Sequence, residues 1–409
     1  MSVATPNAPE SRAAALIALE ERFGSHNYRP LDVVCERGEG VYLWDVEGRR
    51  YMDFLAAYSA VNQGHNHPRI AEALIAQVRK LALTSRAFRN DQLPVLCERL
   101  CTLTGFARAL PMNSGAEAVE TAIKGSRKWG YDVKGIPYPE AEIIVAEGNF
   151  HGRTTTIVGF STDPDSTSRF GPFTPGFRIV KFGDVDAVRS ALSSKTCAVL
   201  VEPIQGEGGV IIPPKGYLAE LRRLCDANGV LLILDEIQSG LGRTGKLFAF
   251  EHEGIRPDGV IIGKALSGGF YPVSAFLSTD EVMSVFTPGI HGSTYGGNPL
   301  ACAVAIAALD VLMDEKLVER AAELGEHLRQ RLSGLRSPLV REARSIGLWA
   351  GVELVAEAGG ARKYCYRLKE RGLLCKDTHV NTIRLAPPLV ITRDELDWAI
   401  DQIEAVLAV

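Results

Sequence analysis

A chain of 409 residues with 46% hydrophobic and 23% charged residues has the balance of an ordinary globular protein, long enough to bury a large core in two or three lobes. A net charge of −4 gives no electrostatic reason to expect nucleic acid or an anionic membrane as partner. No apolar run reaches the roughly 18 to 20 residues that span a bilayer, and eight cysteines without a CxxC pair read as buried small hydrophobes in a reducing compartment rather than as disulfides or a metal site.

The N-terminal stretch "MSVATPNAPESRAAALIALEERF" has no basic segment followed by a continuous apolar one, and its glutamates argue against a mitochondrial leader, so a cytoplasmic protein is expected. Ser11 is placed to cap a short helix ending near residue 23. "DVVCE", "GVYLWD" and "RRYMDFL" predict three strands of a meander. "GHNHP", Gly64–Pro68, has two histidines with no acidic or cysteine companion nearby, and reads as a turn rather than a metal site.

From about residue 67 helices and strands alternate. "PRIAEALIAQVRKLAL" has helical periodicity, and "NSGAEAVETAIKGSRKWG" opens on the capping box Ser114-x-x-Glu117 and ends at Gly130. "AEIIVAE" is a strand. "CAVLVE", "VLLILDE" and "DGVIIG" are apolar throughout, with the amphipathic "YLAELRRLCDANG" between the first two. Strands without polar alternation are buried on both faces, which predicts a parallel sheet covered by helices. Function in such sheets gathers at the carboxyl ends of the strands, where Glu202, Asp235 and Lys264 fall. Beyond Pro299 come a long helix capped by Asn298, short strands in "GLWAGVEL" and "TIRLAPPLV", and a last helix opened by Thr392-x-x-Glu395. The expected fold class is α/β. A large domain spans residues 61–298 with a mainly parallel central sheet, and a smaller α+β part is built from both chain termini, residues 1–60 and 299–409.

"GLGRTG", Gly240–Gly245, matches the GxGxxG fingerprint of nicotinamide-dependent oxidoreductases. Five residues separate the strand from its first glycine, and the following "KLFAFEHEGIRPDG" offers no clean helix to hold a pyrophosphate. A different chemistry explains the strand ends better. A lysine at the end of an apolar strand is desolvated, which lowers its ammonium pKa. A carboxylate at the end of the neighbouring strand is costly unless it meets a positive charge. A pyridinium aldehyde cofactor suits both: Lys264 condenses with the aldehyde, and Asp235 keeps the ring nitrogen protonated. At an effective dielectric near 20 and about 4 Å, such an ion pair is worth roughly 4 kcal/mol before desolvation. "NSGAE" offers a helix N-terminus, and "GSTYGGNP" offers hydroxyls beside glycines, either of which suits the cofactor's phosphate.

"LLILDEIQSGLGRTG", "IIGKALSGGFYPVSA" and "HGSTYGGNPLACAVAIAAL" resemble the class III aminotransferases, pyridoxal-phosphate enzymes of fold type I. "NYRPLDVVCERGEGVYLWDVEGRRYMDFLAAYSAVNQGH", "LTSRAF" and "VEPIQGEGGVIIP" are more similar to the ornithine-specific branch of that family than to its acetylornithine or 4-aminobutyrate branches. The likeness runs from about residue 26 to the C-terminus. It implies that Lys264 carries the cofactor as a Schiff base and shuttles a proton, that Asp235 pairs with the ring nitrogen, that Gln238 contacts the phenolic oxygen, and that Phe150 stacks on the ring with His151 beside it. Ser114, Gly115 and Ala116 would bind the phosphate, and Ser293 and Thr294 would reach it from a second subunit, making the active site a property of a homodimer. Tyr28 and Arg153 would hold the α-amino and α-carboxylate groups of ornithine, with Tyr58 also among the substrate-binding residues. Arg384 would take the α-carboxylate of glutamate or 2-oxoglutarate, with Glu207 masking it during the ornithine half-reaction. The implied activity is conversion of L-ornithine and 2-oxoglutarate to L-glutamate 5-semialdehyde and L-glutamate. Some members of the ornithine branch have tryptophan where this chain has His151, and histidine also appears in the acetylornithine branch, so that position does not separate the branches.

Overall fold

The computed structural model describes residues 11–408, so residues 1–10 of the stretch read for a leader lie outside it. Ser11 accepts the Ala14 N–H and starts the helix Arg12–Phe23. The meander follows as β1 (Cys35–Glu39), β2 (Tyr42–Asp45) and β3 (Arg50–Asp53), each antiparallel to the next. β1 begins three residues later than "DVVCE" suggests, because the turn at Gly40 (φ +58°) fixes Glu39 opposite Tyr42 and the pairing ends at Cys35 opposite Asp45.

The central sheet contains β4 (Arg108–Met112), β5 (Glu142–Ala146), β6 (Phe177–Val180), β7 (Thr196–Val201), β8 (Leu231–Asp235), β9 (Gly259–Ile262) and β10 (Ser274–Ser278), in the order β4-β10-β9-β8-β7-β5-β6. β6, β5, β7, β8 and β9 are parallel, and β10 runs against both β9 and β4. Every residue of β7, β8 and β9 is buried, as their unbroken apolar composition predicts. β10 needed tertiary information: each of its terminal serines is buried, and Ser274 Oγ donates to the Ser114 carbonyl (2.7 Å) while Ser278 Oγ donates to the Asp258 carbonyl (2.6 Å).

The C-terminal region adds β11 (Val340–Ile346), β12 (Trp349–Leu354), β13 (Leu373–Leu374), β14 (Lys376–Thr378) and β15 (Thr382–Leu385). Four of these make a second antiparallel sheet, β11-β12-β15-β14. β13 instead pairs in parallel with β3, so the end of the chain completes the sheet begun at its start. The helix Pro299–Asp314 is apolar on nearly every face and buried accordingly, with Asn298 accepting the Ala301 N–H as its cap. No helix among the described residues is long and apolar enough to cross a membrane.

The GxGxxG stretch has no room for a nucleotide. Gly240 to Gly245 are buried, and the next element is the short 3-10 helix Ala249–Glu253. Arg243 inside it is fully buried. Its guanidinium donates to the carbonyls of Leu348 (2.8 Å) and Pro387 (2.7 Å) and to Asn62 Oδ1 (2.5 Å), which makes it a tie between three parts of the chain.

Candidate active site

The carboxyl ends of β7, β8 and β9 deliver Glu202, Asp235 and Lys264 to one side of the sheet, where a cavity of about 190 Å³ opens. Lys264 takes a left-handed backbone conformation (φ +42°), a strain of about 1–3 kcal/mol for a residue other than glycine. Gly268 and Gly269, also left-handed, complete the turn without that cost.

Asp235 is buried. One oxygen accepts the Ile237 N–H (3.0 Å), and the other lies 2.6 Å from His151 Nδ1. Burial pushes the His151 imidazole down, but the hydrogen bond and charge of Asp235 and the charge of Glu202 outweigh it and raise the pKa above 6.5. Burial likewise lowers the Lys264 ammonium from 10.5. The carboxylates of Glu207, Asp235 and Glu202 oppose that shift, and the Arg384 charge adds to it. Asp235, engaged by His151, leaves the Lys264 amine available.

Glu202, a strand-end acid not assigned a role from sequence, accepts the Phe150 N–H (2.9 Å); burial pushes its carboxyl up to about 7. The same signal that singled out Asp235, an acid closing an apolar strand, identifies it. Gln238 Nε2 lies 3.5 Å from Glu207, while Gln238 Oε1 and His151 Nε2 are buried without a partner among the described residues. A Cβ at Gly206 would sit 1.7 Å from Gln238 Oε1 and 2.7 Å from Trp349 Cζ2, so a side chain there would displace that amide.

The helix Gly115–Asp132 presents its N-terminus to the same cavity. The capping box occupies Ser114 and Glu117 with each other, leaving the first-turn N–H groups of Gly115 and Ala116 facing the cavity wall. Ser293 and Thr294 do not line this cavity: the Ser293 hydroxyl accepts from Asn113 Nδ2 (2.9 Å), and Thr294 is exposed. Arg153 is also exposed, its guanidinium 5.7 Å from the Phe150 ring centre.

Arg384, in the centre of β15 and 2% exposed, donates to Glu207 Oε1 at 2.7 Å. Burial favours a neutral Glu207, but the charges of Arg384 and Lys264 prevail and hold its carboxyl below 4.5. The Arg384 guanidinium also lies 4.7 Å from the Tyr58 ring centre. Tyr58 and the 71%-exposed Tyr28 line an outer cavity of about 510 Å³.

The chain matches the Aminotransferase class-III family over residues 23–407. The chain is a class III aminotransferase. The curated relatives of this aminotransferase include the protein named ornithine aminotransferase from Bordetella pertussis, 59% identical over 98% of this chain and 97% of that one. Its fold is that of the ornithine aminotransferase structure from Toxoplasma gondii ME49 (TM-score 0.95, 44% identity, 97% of this chain and 95% of that one). An acetylornithine aminotransferase structure from Elizabethkingia anophelis is also similar (TM-score 0.87, 50% identity, 97% and 98%).

The cofactor of the family is pyridoxal 5′-phosphate, and the aminotransferase's cavity fits it on its own chemistry. It offers a buried amine with lowered pKa, a buried carboxylate for a ring nitrogen, an unpartnered amide oxygen for a ring hydroxyl, and a helix N-terminus for a phosphate.

Proposed function

We propose that this aminotransferase moves the δ-amino group of L-ornithine to 2-oxoglutarate, giving L-glutamate 5-semialdehyde and L-glutamate. The observation that carries the reading is the Arg384–Glu207 pair beside Lys264. An arginine that already holds an internal carboxylate can take a substrate's α-carboxylate in one half-reaction and be masked in the other, so one site serves an ω-amine and a dicarboxylate. The names of the relatives agree with it.

In this reading pyridoxal phosphate supplies an electrophilic aldehyde and an electron sink. Gly115 and Ala116 bind its phosphate with backbone N–H groups, aided by Ser114. Asp235 holds the ring nitrogen charged, and His151 fixes the Asp235 carboxylate through their 2.6 Å contact. Gln238 Oε1 takes the ring hydroxyl, and Phe150 covers the ring. Lys264 Nζ, whose pKa burial lowers, would take the proton from the carbon bearing the amine and deliver it to the cofactor's C4′ carbon, the reverse transfer serving the second half-reaction. Tyr28, Tyr58 and Arg153 hold the α-amino and α-carboxylate groups of ornithine, leaving the δ-amine facing Lys264.

The enzyme works in the cytoplasm as a homodimer in which Ser293 and Thr294 serve the phosphate of a second copy. Exposure of Thr294, Tyr295 and Ile290 outside their own cavity supports that assembly. The large cofactor-binding domain is residues 61–298, with the flanking segments forming the smaller one.

The test is a panel of amino donors, each followed through the cofactor's absorbance in single half-reactions. Ornithine should outpace N-acetylornithine and 4-aminobutyrate, and Tyr28→Ile should shift preference towards 4-aminobutyrate. A clear preference of the native enzyme for the acetylated donor overturns the ornithine assignment in favour of the activity named for the Elizabethkingia relative.

A further inference from the structure

At the mouth of the site, four consecutive residues other than glycine lie in the left-handed region: Ala56 (φ +48°), Ala57 (+46°), Tyr58 (+61°) and Ser59 (+72°). Left-handed stretches of L-residues persist only where the surroundings over-determine them. The base of this turn is well held. Asp53 Oδ1 accepts the N–H groups of Leu55 (2.8 Å) and Ala56 (3.0 Å), the Ala56 carbonyl accepts from Ala60 (2.9 Å), and the Phe54 carbonyl accepts the Ala386 N–H (2.8 Å). None of these contacts reaches the Tyr58 side chain. Its one hydrogen bond among the described residues comes from Lys376 Nζ, 3.0 Å from the phenolic oxygen.

Lys376 opens β14, directly opposite Arg384 in the ladder. It stands between the two tyrosines of the outer cavity, 5.6 Å from the Tyr58 ring centre and 5.9 Å from that of Tyr28. It has no acidic partner among the described residues, and Asp377 beside it pairs with Arg362. An ammonium has donors and no acceptor. The Tyr58 oxygen therefore accepts from Lys376, and the phenol's single proton is left to donate elsewhere.

We propose that Lys376 is a positioning residue for substrate carboxylates: it holds the Tyr58 phenol with its proton directed into the site, where Arg384 supplies the neighbouring cation. The inference rests on the proposed reading only in taking the substrates to be amino acids that carry an α-carboxylate. Glutamate belongs to the second half-reaction whichever ω-amine is the first donor, so the test uses it alongside ornithine.

The experiment is steady-state and half-reaction kinetics of the holoenzyme for Lys376→Met, Lys376→Arg, Tyr58→Phe and the double variant Lys376→Met/Tyr58→Phe. Loss of a charge-assisted hydrogen bond in the substrate complex should raise KM for glutamate and ornithine about tenfold in Lys376→Met, with kcat within about twofold. Lys376→Arg should recover most of that loss. In the Tyr58→Phe background the lysine substitution should add less than about twofold. With 1,4-diaminobutane, which has no carboxylate, native enzyme and Lys376→Met should react alike. Additive effects of the two substitutions, an equal loss with the diamine, or a fall in kcat at unchanged KM overturns the proposal. A native preference for another ω-amine with the coupling to Tyr58 intact overturns the ornithine assignment and leaves this one standing.

Discussion

Three buried carboxylates and the partly buried Glu207 lie along the strand ends and their following turns, and their environments give them different chemistry. Asp235 has a histidine, Glu207 an arginine, Glu202 a backbone N–H, and Glu236 only the Ser239 hydroxyl (2.5 Å) and the Phe250 N–H (3.0 Å). With no cation in contact among the described residues, burial pushes the Glu236 carboxyl from 4.5 up to about 7. The folded state then binds the proton more tightly than the unfolded chain. The stability this contributes is complete below pH 4.5 and is lost as pH rises through about 7. Glu236→Gln keeps the side chain neutral throughout. Urea unfolding at about pH 5 and pH 8 should therefore show the native protein losing up to about 3 kcal/mol relative to the variant over that range. A native-to-variant difference that stays constant with pH would show that Glu236 does not titrate there.

At the scale of elements, close backbone approach governs how the C-terminal helices meet the sheets. Gly325 lies inside the helix Leu317–Ser333, and a Cβ there would sit 2.4 Å from the backbone of Gly347, in the tight connection between β11 and β12. Gly347 is itself left-handed (φ +53°), so the connection has little freedom to retreat. Gly325→Ala should thus destabilise by about 2 kcal/mol, although alanine is the better helix former, and a thermal or denaturant melt measures the sign directly. Elements of this kind were unequally legible. The Ser114 and Thr392 capping boxes and the Asn298 cap were readable because the signal is local, a hydroxyl or amide meeting a backbone N–H three residues on. β4, β6, β10, β11, β13 and β14 are not legible in the sequence, being short or interrupted by polar residues, and their strand character comes from the neighbours they pair with.

Across the whole molecule the fully buried Arg243 joins the N-terminal region at Asn62 to the C-terminal region at Leu348 and Pro387. Its acceptors are neutral, and burial pushes its pKa down to about 9, which still leaves it charged at neutral pH. Arg243→Leu strands two buried carbonyls and an amide oxygen, and should cost about 3 kcal/mol or more. Because Asn62 follows the left-handed turn at Ala56–Ser59, the same variant should also raise KM for amino-acid substrates, a pairing checked by measuring melting and kinetics on one preparation. A stable variant with native KM would separate this tie from the site.

By itself the sequence determined the buried parallel strands, the acid and the lysine at their ends, and the capped helix whose N-terminus lines the cavity, because burial on both faces and capping are written in local composition and spacing. The histidines of "GHNHP" show where that stops. They have no acidic neighbour in sequence, yet His65 meets Asp53 at 2.8 Å and His67 meets Glu315 at 2.9 Å. The same holds for His151 on Asp235, Glu207 on Arg384, Lys376 on Tyr58, and Arg243 where a nucleotide loop is suggested. These pairs join residues 12 to 318 positions apart. Only tertiary structure decided them, since the contact energy of a buried polar group depends on which distant partner the folded backbone brings within about 3 Å.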